Sequence, residues 1–320
     1  MKILVTGGSG FIGTPLVGEL LKERHQVTIF DKDISCKYPD IVVLGDVRDK
    51  DAIIKAAAKH DVIYHLAAEH KDDVRPISLY DDVNVGGARN VVAAANNAGI
   101  KKIIFTSTVA IYPLNADMPD EQSKISPFNK YGQSKYEAEK VFNEWVSQDN
   151  KRSLVIVRPV AIFGENNRGN VYNLLLQIYK RRFIMVGNGR NKKSIGYIGN
   201  IVRFLTFCLD FGPGSHLFNY VDKPDMSTNE LVRIAKHAFG RDGNYQLRIP
   251  YSVGLLAGYG ADLVARVSGK TLPVSPIRIK KFCANTTVSA DRLLKTGFNP
   301  PYSIKEALQH TIKAEFSSHI

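Results

Sequence analysis

The sequence predicts an α/β fold class, a doubly wound parallel sheet with a smaller α/β region interleaved with it towards the C-terminus. Three observations support this fold class. A short apolar strand is followed at once by a glycine-rich turn and a helix. Apolar strands and amphipathic helices then alternate over the first half of the chain, as they do where helices connect parallel strands. Beyond Gly164 this alternation stops, and the chain becomes richer in proline and basic residues.

The first strand and the turn after it carry the most specific signal. Residues 3–5 are an apolar run typical of a strand buried on both faces, and the apolar spacing predicts a helix over 14–23. Gly7 permits a tight turn, Gly10 lets the backbone approach a pyrophosphate, and Gly13 lets helix and strand pack closely. The free N–H groups at the helix start would face the phosphates. This context predicts a dinucleotide site.

The second strand ends in an acid, as a dinucleotide site requires. Residues 26–30 predict the strand, and Asp31 follows it. A carboxylate there accepts hydrogen bonds from the adenosine ribose and repels a 2′-phosphate, which favours NAD over NADP. Lys32 comes next and weakens that preference. The alternative is an ordinary turn acid after a strand, and the upstream glycines weigh against it.

The remaining segments extend the alternation. Strands are predicted over 41–44, 61–65, 102–105 and 154–157, and helices over 50–59, 80–98, 129–148, 171–182 and 227–239. Asp46 follows the first of these strands, where it could meet an adenine amino group or instead cap the next helix. Leu66, Ala67 and Ala68 follow the second. Small residues there leave space for a flat cofactor, and a packed helix start is an equally good interpretation.

The net charge of the chain limits the classes of binding partner to be expected. There are 43 basic and 31 acidic residues, for a net charge of +12. Such an excess is typical of proteins that bind nucleic acid, an acidic membrane surface or a phosphorylated substrate. No repeat of basic and aromatic residues resembles a nucleic-acid module, so no nucleic-acid partner is expected. A pyrophosphate-bearing substrate explains the charge most simply, and a membrane surface is the second explanation.

Cysteine usage and the apolar segments bear on location. Cys36, Cys208 and Cys283 are widely spaced and predict neither a disulfide framework nor a metal site. The first strand begins at Lys2, which leaves no room for a signal peptide before it. The most apolar stretches are interrupted by charge, as by Asp262, so no membrane-spanning helix is expected. These features predict a cytoplasmic protein.

A candidate catalytic set lies in the helix predicted over 129–148. Tyr131 and Lys135 are four residues apart and therefore share one helix face. The ordinary pKa of tyrosine is about 10, and a neighbouring ammonium together with the positive ring of NAD⁺ is expected to lower it. Thr108, at the end of the preceding strand, could complete a proton path to a substrate alcohol.

With these residues in place, the sequence resembles the extended short-chain dehydrogenase/reductase family, in its nucleotide-sugar epimerase/dehydratase branch. The resemblance extends through nearly the whole chain. It rests on Thr6-Gly7-Gly8-Ser9-Gly10-Phe11-Ile12-Gly13, Asp31, Gly45-Asp46-Val47, His65-Leu66-Ala67-Ala68, Asn84, Thr106-Ser107-Thr108, Tyr131-Gly132-Gln133-Ser134-Lys135 and Arg158-Pro159. It implies a Rossmann domain with bound NAD, in which Tyr131 is the base, Lys135 its partner and Thr108 a hydrogen-bond donor to the sugar. It also implies a homodimer built on the helices near 82–98 and 130–148.

The resemblance further implies two sets of contacts and a domain division. The cofactor contacts are Gly7, Gly10, Phe11, Ile12, Gly13, Asp31, Lys32, Asp46, Val47, Leu66, Ala67, Ala68, Asn84, Thr106, Tyr131, Lys135 and Pro159. The substrate contacts are His70, Ser107, Thr108, Asn170, Lys193 and Lys280. The NAD-binding domain is expected over 1–163 with about 196–222, and the substrate-binding domain over about 164–195 and 223–320.

The residues after Thr108 select among the reactions of the family. The 4,6-dehydratases have an Asp-Glu pair there and the decarboxylases a Glu, whereas this chain has Val109 and Ala110, which cannot move a proton. Enzymes that epimerise C3 and C5 add a Cys near this strand, and none lies in 107–112. The remaining reaction is C4 epimerisation, by oxidation of a ring alcohol, rotation of the ketone and hydride return to the other face. Two departures, Ala161 for a frequent Asn and Asn200 for a usual Asp, put substrate contacts in doubt.

Two other classes of function stay open. A net dehydrogenase or reductase of a sugar or steroid-like alcohol would use the same tyrosine and lysine but would exchange its cofactor at each turnover. A nucleotide-sensing protein without turnover is disfavoured by the intact Thr108, Tyr131 and Lys135.

The substrate is expected to be a diphosphate-linked hexose of the UDP-GlcNAc or UDP-glucose type, with polyprenyl-diphosphate-linked GlcNAc as the alternative. Residues 283–287 include nothing bulky, which predicts room for an N-acetyl group. Lys193 matches a family arginine on the diphosphate, and Lys280 lies near a second basic contact; the alternative for both is a solvated basic face.

A late apolar stripe leaves a further choice. Val253, Leu256, Tyr259, Leu263 and Val267 recur at roughly helical spacing. The nearby basic residues are Arg266, Lys270, Arg278, Lys280 and Lys281. The stripe indicates either a core helix or a surface helix that touches anionic lipid, which would suit a polyprenyl-linked sugar.

Overall fold

The computed structural model describes residues 1–71, 74–114, 116–241, 247–268 and 275–316. The strands are β1 Lys2–Thr6, β2 Gln26–Asp31, β3 Val42–Leu44, β4 Val62–His65, β5 Lys102–Thr106, β6 Ser153–Pro159, β7 Ala161–Phe163, β8 Met185–Val186, β9 Lys192–Tyr197, β10 Gly214–Tyr220, β11 Asp222–Ser227 and β12 Arg248–Ile249. The helices are α1 Gly13–Lys22, α2 Lys50–Ala57, α3 Gly87–Ala98, α4 Lys130–Ser147, α5 Asn170–Tyr179, α6 Ile198–Phe207, α7 Thr228–Ala238, α8 Tyr251–Ser268, α9 Pro276–Cys283, α10 Asp291–Lys295 and α11 Ile304–Phe316.

The main sheet has seven parallel strands in the order β10-β6-β5-β4-β1-β2-β3. The chain runs outward from β1 to β3, then crosses back to β4 and continues towards β10. The direction therefore reverses between β1 and β4, which is where ligands bind in open α/β sheets, at the carboxyl ends of the strands. The predicted fold class is confirmed.

The core lies on both faces of this sheet. Along β1, Ile3 and Val5 pack with α1 and α6 on one face, and Leu4 packs with α2, α3 and α4 on the other. Side chains alternate between the two faces of a strand, and helices cover both faces of this sheet, so side chains on both sides of the strand are buried. This explains why the strands are continuous apolar runs.

The rest of the chain forms a smaller unit around a separate apolar cluster. Its members come from α5, β8, α7 and α11: Leu175, Ile178, Met185, Val232, Ala235, Phe239, Ile312 and Phe316. A three-stranded sheet, β11-β9-β7, and the pair β12-β8 accompany it. Two elements that lie between β9 and β11 in the sequence belong with the main sheet instead: α6 packs on α1, and β10 pairs with β6. The exact domain boundaries given above stay a prediction.

Two helices differ from their predicted bounds. The helix expected over 80–98 opens with a π-helical segment, Asp81–Gly86, before α3. The helix expected over 171–182 ends at Tyr179, because Arg181 has a φ of 56° and so leaves the right-handed helical region.

A buried ion pair joins α4 to β6. The Arg158 guanidinium donates from Nε to Glu139 Oε1 at 2.9 Å and from Nη2 to Oε2 at 2.6 Å. The two side chains are only 4 and 2 % exposed. Arg158 also donates to the Tyr112 hydroxyl at 2.9 Å, which donates to Asn219 Oδ1. The pair has enough partners to offset its burial and fixes the helix that carries Tyr131 and Lys135.

We expect removal of this pair to destabilise the fold. Arg158→Met leaves the Glu139 carboxylate buried without its cation, which costs about 3–5 kcal/mol in the free energy of unfolding. Urea unfolding measures the loss. The control is Lys101→Met, which breaks the more exposed pair between Lys101 and Asp149 and should cost much less. Equal losses in the two variants would contradict this account of α4.

Candidate active site

The turn between β1 and α1 has the geometry of a phosphate cradle. A Cβ at Gly13 would lie 2.2 Å from the Gly7 carbonyl oxygen, so the helix start packs directly on the turn. At Gly10, an added Cβ would meet only that same oxygen, at 3.3 Å, and the space beyond is open. Ile12 precedes α1 without a side-chain capping hydrogen bond. The open space and the helix start without a side-chain cap fit a pyrophosphate.

Asp31 lies beside this turn. One carboxylate oxygen accepts the Ser9 N–H at 3.0 Å, and the other accepts the Asp33 N–H at 3.2 Å. The acid therefore connects the end of β2 to the glycine turn, at the edge where a ribose would lie.

Asp46 does not cap α2. That cap is Asp49, whose side chain accepts N–H bonds from Asp51 and Ala52. Asp46 is held by the Arg48 guanidinium at 2.6 Å, and this hydrogen bond lowers the pKa of Asp46 below its usual value. The helix-cap alternative for Asp46 is therefore wrong.

Asn84 is fully buried, and its side chain joins three segments. Its Oδ1 accepts the Glu69 N–H at 2.9 Å, while Nδ2 donates to the Glu69 carbonyl and to Ser134 Oγ. These bonds hold the segment after β4 against α4. Asn84 thus positions the walls of the site, a role that its motif position alone does not reveal.

Thr108 and Tyr131 come together, and Lys135 lies one helical turn further along α4. Thr108 follows β5, and its hydroxyl hydrogen-bonds with that of Tyr131 in the first turn of α4. A Cβ at Gly132 would lie 2.3 Å from the Ala110 carbonyl oxygen, so α4 packs directly on the turn after Thr108. One helical turn on, Lys135 is buried, with its Nζ 4.2 Å from the centroid of the Phe105 ring.

Burial sets the proton affinities of this set. It lowers the pKa of Lys135 to about 7, and Glu139 partly offsets the effect. It raises the pKa of Tyr131 to about 12, against the lowering effect of the Thr108 hydrogen bond. The lowering expected from the sequence is therefore not produced by the protein residues, because desolvation outweighs them. The positive ring of NAD⁺ is the other source of that lowering.

Two buried polar atoms near the ends of β4 and β5 have no hydrogen-bond partner among the described residues. Ser107 Oγ, a predicted substrate contact, is one. His65 Nε2 is the other; His65 Nδ1 contacts Thr6 Oγ1 at 2.7 Å, and burial lowers the pKa of this histidine to about 3. A neutral imidazole and an available hydroxyl therefore lie at the edge where the sheet reverses.

A cleft of about 440 Å³ lies between the smaller unit, at the turn Gly187–Gly189, and the segment after β5 that carries Leu114. Its lining includes Leu114, Val186, Tyr251, Lys280, Cys283 and Ala284. Lys280 is exposed, and the lining residues from 283–284 are small.

Comparison with known proteins identifies the family. The family model for the NAD-dependent epimerase/dehydratase family matches residues 3–220. The chain belongs to this family. It is 46 % identical over 317 residues to the N-acetyl-α-D-glucosaminyl-diphospho-ditrans,octacis-undecaprenol 4-epimerase of Escherichia coli O157:H7, covering 98 % of this chain and 95 % of that protein. It is 28 % identical to the UDP-glucose 4-epimerase of Vibrio cholerae, covering 98 and 95 %. The UDP-glucose 4-epimerase of Thermus thermophilus, solved with NAD, superposes with a TM-score of 0.77 at 19 % identity, covering all of both chains.

As a member of the NAD-dependent epimerase/dehydratase family, the protein is an enzyme that uses NAD. Its residues fit this cofactor, since the open space at Gly10 and the Asp31 carboxylate lie at one edge of the sheet. Other predicted contacts lie at the ends of the strands or just after them, at the same edge: Phe11, Ile12, Lys32, Val47, Leu66, Ala67, Ala68, Thr106 and Pro159. Their contact with NAD stays a prediction.

The predicted substrate contacts fall in different places. His70 and Asn170 are exposed, the first after β4 and the second at the start of α5. Lys193 differs from expectation, because its ammonium donates to the carbonyls of Lys281 and Ala284, at 2.8 and 2.7 Å, and thereby caps the end of α9. Burial lowers its pKa to about 8.

Asn200 also corrects an expectation. It is fully buried, and its amide donates to Asp222 at 2.9 Å and to the Tyr302 carbonyl at 2.8 Å. This departure from the family pattern therefore lies in the core and not at a substrate contact.

Sequence reasoning missed the groups that orient α4. Asn129 caps the helix by accepting the Gly132 N–H at 2.8 Å, and Glu139 binds Arg158. An Asn at the helix start and an acid four residues after Lys135 were the available signals.

Within the described ranges, no helix is both long enough and apolar enough to cross a membrane.

Gly10→Ala and Gly13→Ala should separate cofactor binding from folding. Alanine at Gly10 meets one backbone oxygen at 3.3 Å, which needs only a small shift, so the melting temperature should fall much less than in Gly13→Ala while NAD affinity falls about tenfold or more. Alanine at Gly13 must displace the Gly7 backbone, so the melting temperature itself should fall. Calorimetric NAD titration and thermal unfolding measure the two effects. Wild-type NAD affinity in Gly10→Ala would contradict the assignment of the turn between β1 and α1 as the pyrophosphate site.

Lys135 should make stability depend on pH. Its pKa is about 7 in the folded chain against an ordinary 10.5, so between these values only the unfolded chain holds the proton. The free energy of unfolding should therefore rise as pH increases from about 7 to 10.5, with the full penalty present below pH 7. Lys135→Met should remove this slope in urea unfolding across that range. Lys140→Met, on the exposed side of α4, is the control and should leave the slope nearly unchanged. If the pH dependence of the free energy of unfolding persists in Lys135→Met, it must come from another titrating group.

Proposed function

We propose that this enzyme is a 4-epimerase that interconverts N-acetylglucosamine and N-acetylgalactosamine while the sugar is linked through diphosphate to undecaprenol. One observation carries the choice of substrate: the 46 % identity to the undecaprenol-linked 4-epimerase, over nearly the full length of both chains. The UDP-glucose 4-epimerase is only 28 % identical over a similar span. The sequence alone placed a UDP-linked sugar first, and the difference in identity reverses that order.

The residues around Thr108 support a reaction that needs one proton carrier. When bound, NAD supplies the hydride acceptor and donor for C4 of the sugar. Tyr131 takes the proton of the C4 hydroxyl and later returns it, while Thr108 holds that oxygen and Lys135, one helical turn on, adds positive charge when it is protonated. Val109 and Ala110 form the short turn next to Thr108 and carry no ionisable group, as expected where no water is eliminated.

The sugar and diphosphate contacts are proposed from burial and charge. Ser107 Oγ is buried without a partner in the described chain, so a sugar hydroxyl would satisfy it. Lys280 is exposed at the cleft and can meet a diphosphate, whereas Lys193 supports that wall from behind by capping α9. The small residues Cys283 and Ala284 leave room for the N-acetyl group.

We also propose the finer assignments that accompany this function. They are the two-domain division, a homodimer packed through α3 and α4, a cytoplasmic location and a role in polysaccharide biosynthesis. The first two follow from the family resemblance, and the others from the proposed substrate. Light scattering tests the homodimer, which a monomer at micromolar concentration would exclude.

The assay compares undecaprenyl-diphospho-GlcNAc, UDP-GlcNAc and UDP-glucose, without added nicotinamide. Released sugars are identified by chromatography after mild acid hydrolysis. We expect N-acetylgalactosamine from the lipid-linked substrate. A higher kcat/KM on UDP-GlcNAc than on the lipid-linked substrate would overturn the assignment of undecaprenyl diphosphate as the carrier. Activity that requires stoichiometric NAD would identify a net dehydrogenase instead.

Tyr131→Phe should remove the proton carrier without removing the cofactor. We expect kcat to fall about a hundredfold or more, as for loss of a general base, while NAD affinity stays near wild type. Tyr136→Phe, further along the same helix and outside the Thr108 contact, is the control and should keep wild-type turnover. Near-normal turnover in Tyr131→Phe would overturn the assignment.

A further inference from the structure

The helix α8 is packed in an unusual sense, with its glycines inside and its large apolar side chains outside. A Cβ at Gly254 would lie 2.5 Å from Val186, and one at Gly258 would lie 2.9 Å from Ile279 on α9. Both glycines are buried. A surface helix normally buries its large apolar residues, so the packing of α8 leaves the opposite face to be explained.

That opposite face is apolar and exposed. Val253, Leu256, Tyr259 and Val264 are all exposed, and Leu256 is 70 % exposed. At about 100° per residue they fall on one side of the helix, together with Ala257 and Gly260. Among the described side chains of that side, Ser252 is the only other one. We name this surface, Val253, Leu256, Ala257, Tyr259, Gly260 and Val264, the α8 face.

The α8 face corrects the core interpretation of the apolar stripe for Val253, Leu256 and Tyr259. The side chains of Leu263, Arg266 and Val267 and the whole of Lys270 lie outside the described residues. An exposed apolar surface of several large side chains indicates a site of interaction.

Positive charge borders this surface. α9 packs against α8 and carries the exposed Arg278 and Lys280 together with Lys281. Arg248, just before α8, is also exposed, and its guanidinium donates to the Asn188 carbonyl and to Asn229 Oδ1. The chain as a whole has a net charge of +12. Apolar side chains flanked by cations fit the boundary of an anionic bilayer, where the apolar groups enter the acyl region and the cations meet headgroups. A second copy of the chain fits less well, because a two-fold pairing would bring like charges together.

The cleft lies at the start of the same helix. Tyr251, the first residue of α8, lines the cleft with Lys280 and Cys283, and falls on the side of the helix that holds Gly254 and Gly258. We propose that the α8 face docks the enzyme on an anionic lipid bilayer, in the plane of the membrane, which brings the cleft at the start of α8 close to the headgroups. This rests on the proposed function for its purpose, since a diphosphate could then enter the cleft while the undecaprenyl chain stays in the bilayer.

Vesicle sedimentation tests the docking directly. The probes are phosphatidylcholine vesicles with and without an equal share of phosphatidylglycerol, at low and high salt. The wild type should sediment with anionic vesicles at low salt, and Leu256→Asp should weaken partitioning about tenfold or more. Val264→Asp, on the same face, should do the same. Leu294→Asp is the matched control, because Leu294 is 57 % exposed on α10, and it should partition as wild type.

Three outcomes would overturn the docking surface. In the first two, the wild type stays in the supernatant, or Leu294→Asp loses as much vesicle binding as Leu256→Asp. In the third, Leu256→Asp dissociates an oligomer in light scattering with no change in vesicle binding.

A second assay separates docking from catalysis. It compares GlcNAc diphosphate on a short, water-soluble prenyl chain with the undecaprenyl form embedded in the same anionic vesicles. Leu256→Asp should turn over the short substrate at the wild-type rate and lose about tenfold on the embedded one. If the wild type epimerises neither substrate, the proposed function fails while sedimentation still decides the docking surface. If it epimerises the short substrate but never binds vesicles, the function stands and the docking surface is rejected.

Discussion

The candidate catalytic set depends on one close approach, that of the first turn of α4 to the turn after β5. Only glycine at position 132 allows it, since a Cβ there would lie 2.3 Å from the Ala110 carbonyl oxygen. The approach brings the Tyr131 hydroxyl to that of Thr108. The helix is fixed further along as well, because Glu139 forms a buried bidentate pair with an arginine of β6. Geometry at the site is therefore set by backbone packing at one point of α4 and by an ion pair at another.

The burial that fixes this geometry works against charge. Lys135 loses proton affinity and Tyr131 gains it, so the two groups in the chain alone are both moved towards neutrality. The Arg158 guanidinium deeper in the same region stays charged because a carboxylate and a hydroxyl satisfy it. A phenolate at Tyr131 needs a comparable source of positive charge, and the nicotinamide ring is the one that the family provides. In the proposed mechanism, proton transfer is in this way coupled to the presence of the cofactor.

The sequence predicted the parallel sheet and the meeting of Thr108 with Tyr131 because both follow from local patterns. Apolar runs define the strands, and parallel strands place their carboxyl ends at one edge. The roles of Asn200 and Lys193 could not be predicted, since the carbonyls that they meet lie 88 to 102 residues further along the chain. A motif position fixes where a side chain starts, and only the packed structure shows which distant carbonyls it meets.

The apolar stripe of α8 shows the same limit in a different form. Its spacing is that of a core helix, and spacing alone cannot show which side of a helix faces the protein. The glycines decide this, because Gly254 and Gly258 let α8 lie directly on Val186 and Ile279 with no larger side chain between them. Once the small residues face inward, the large ones must face outward. A soluble substrate gives no reason for such a surface on the helix that begins at the cleft, whereas a substrate held in a bilayer does, since the enzyme must then come to the membrane to reach it.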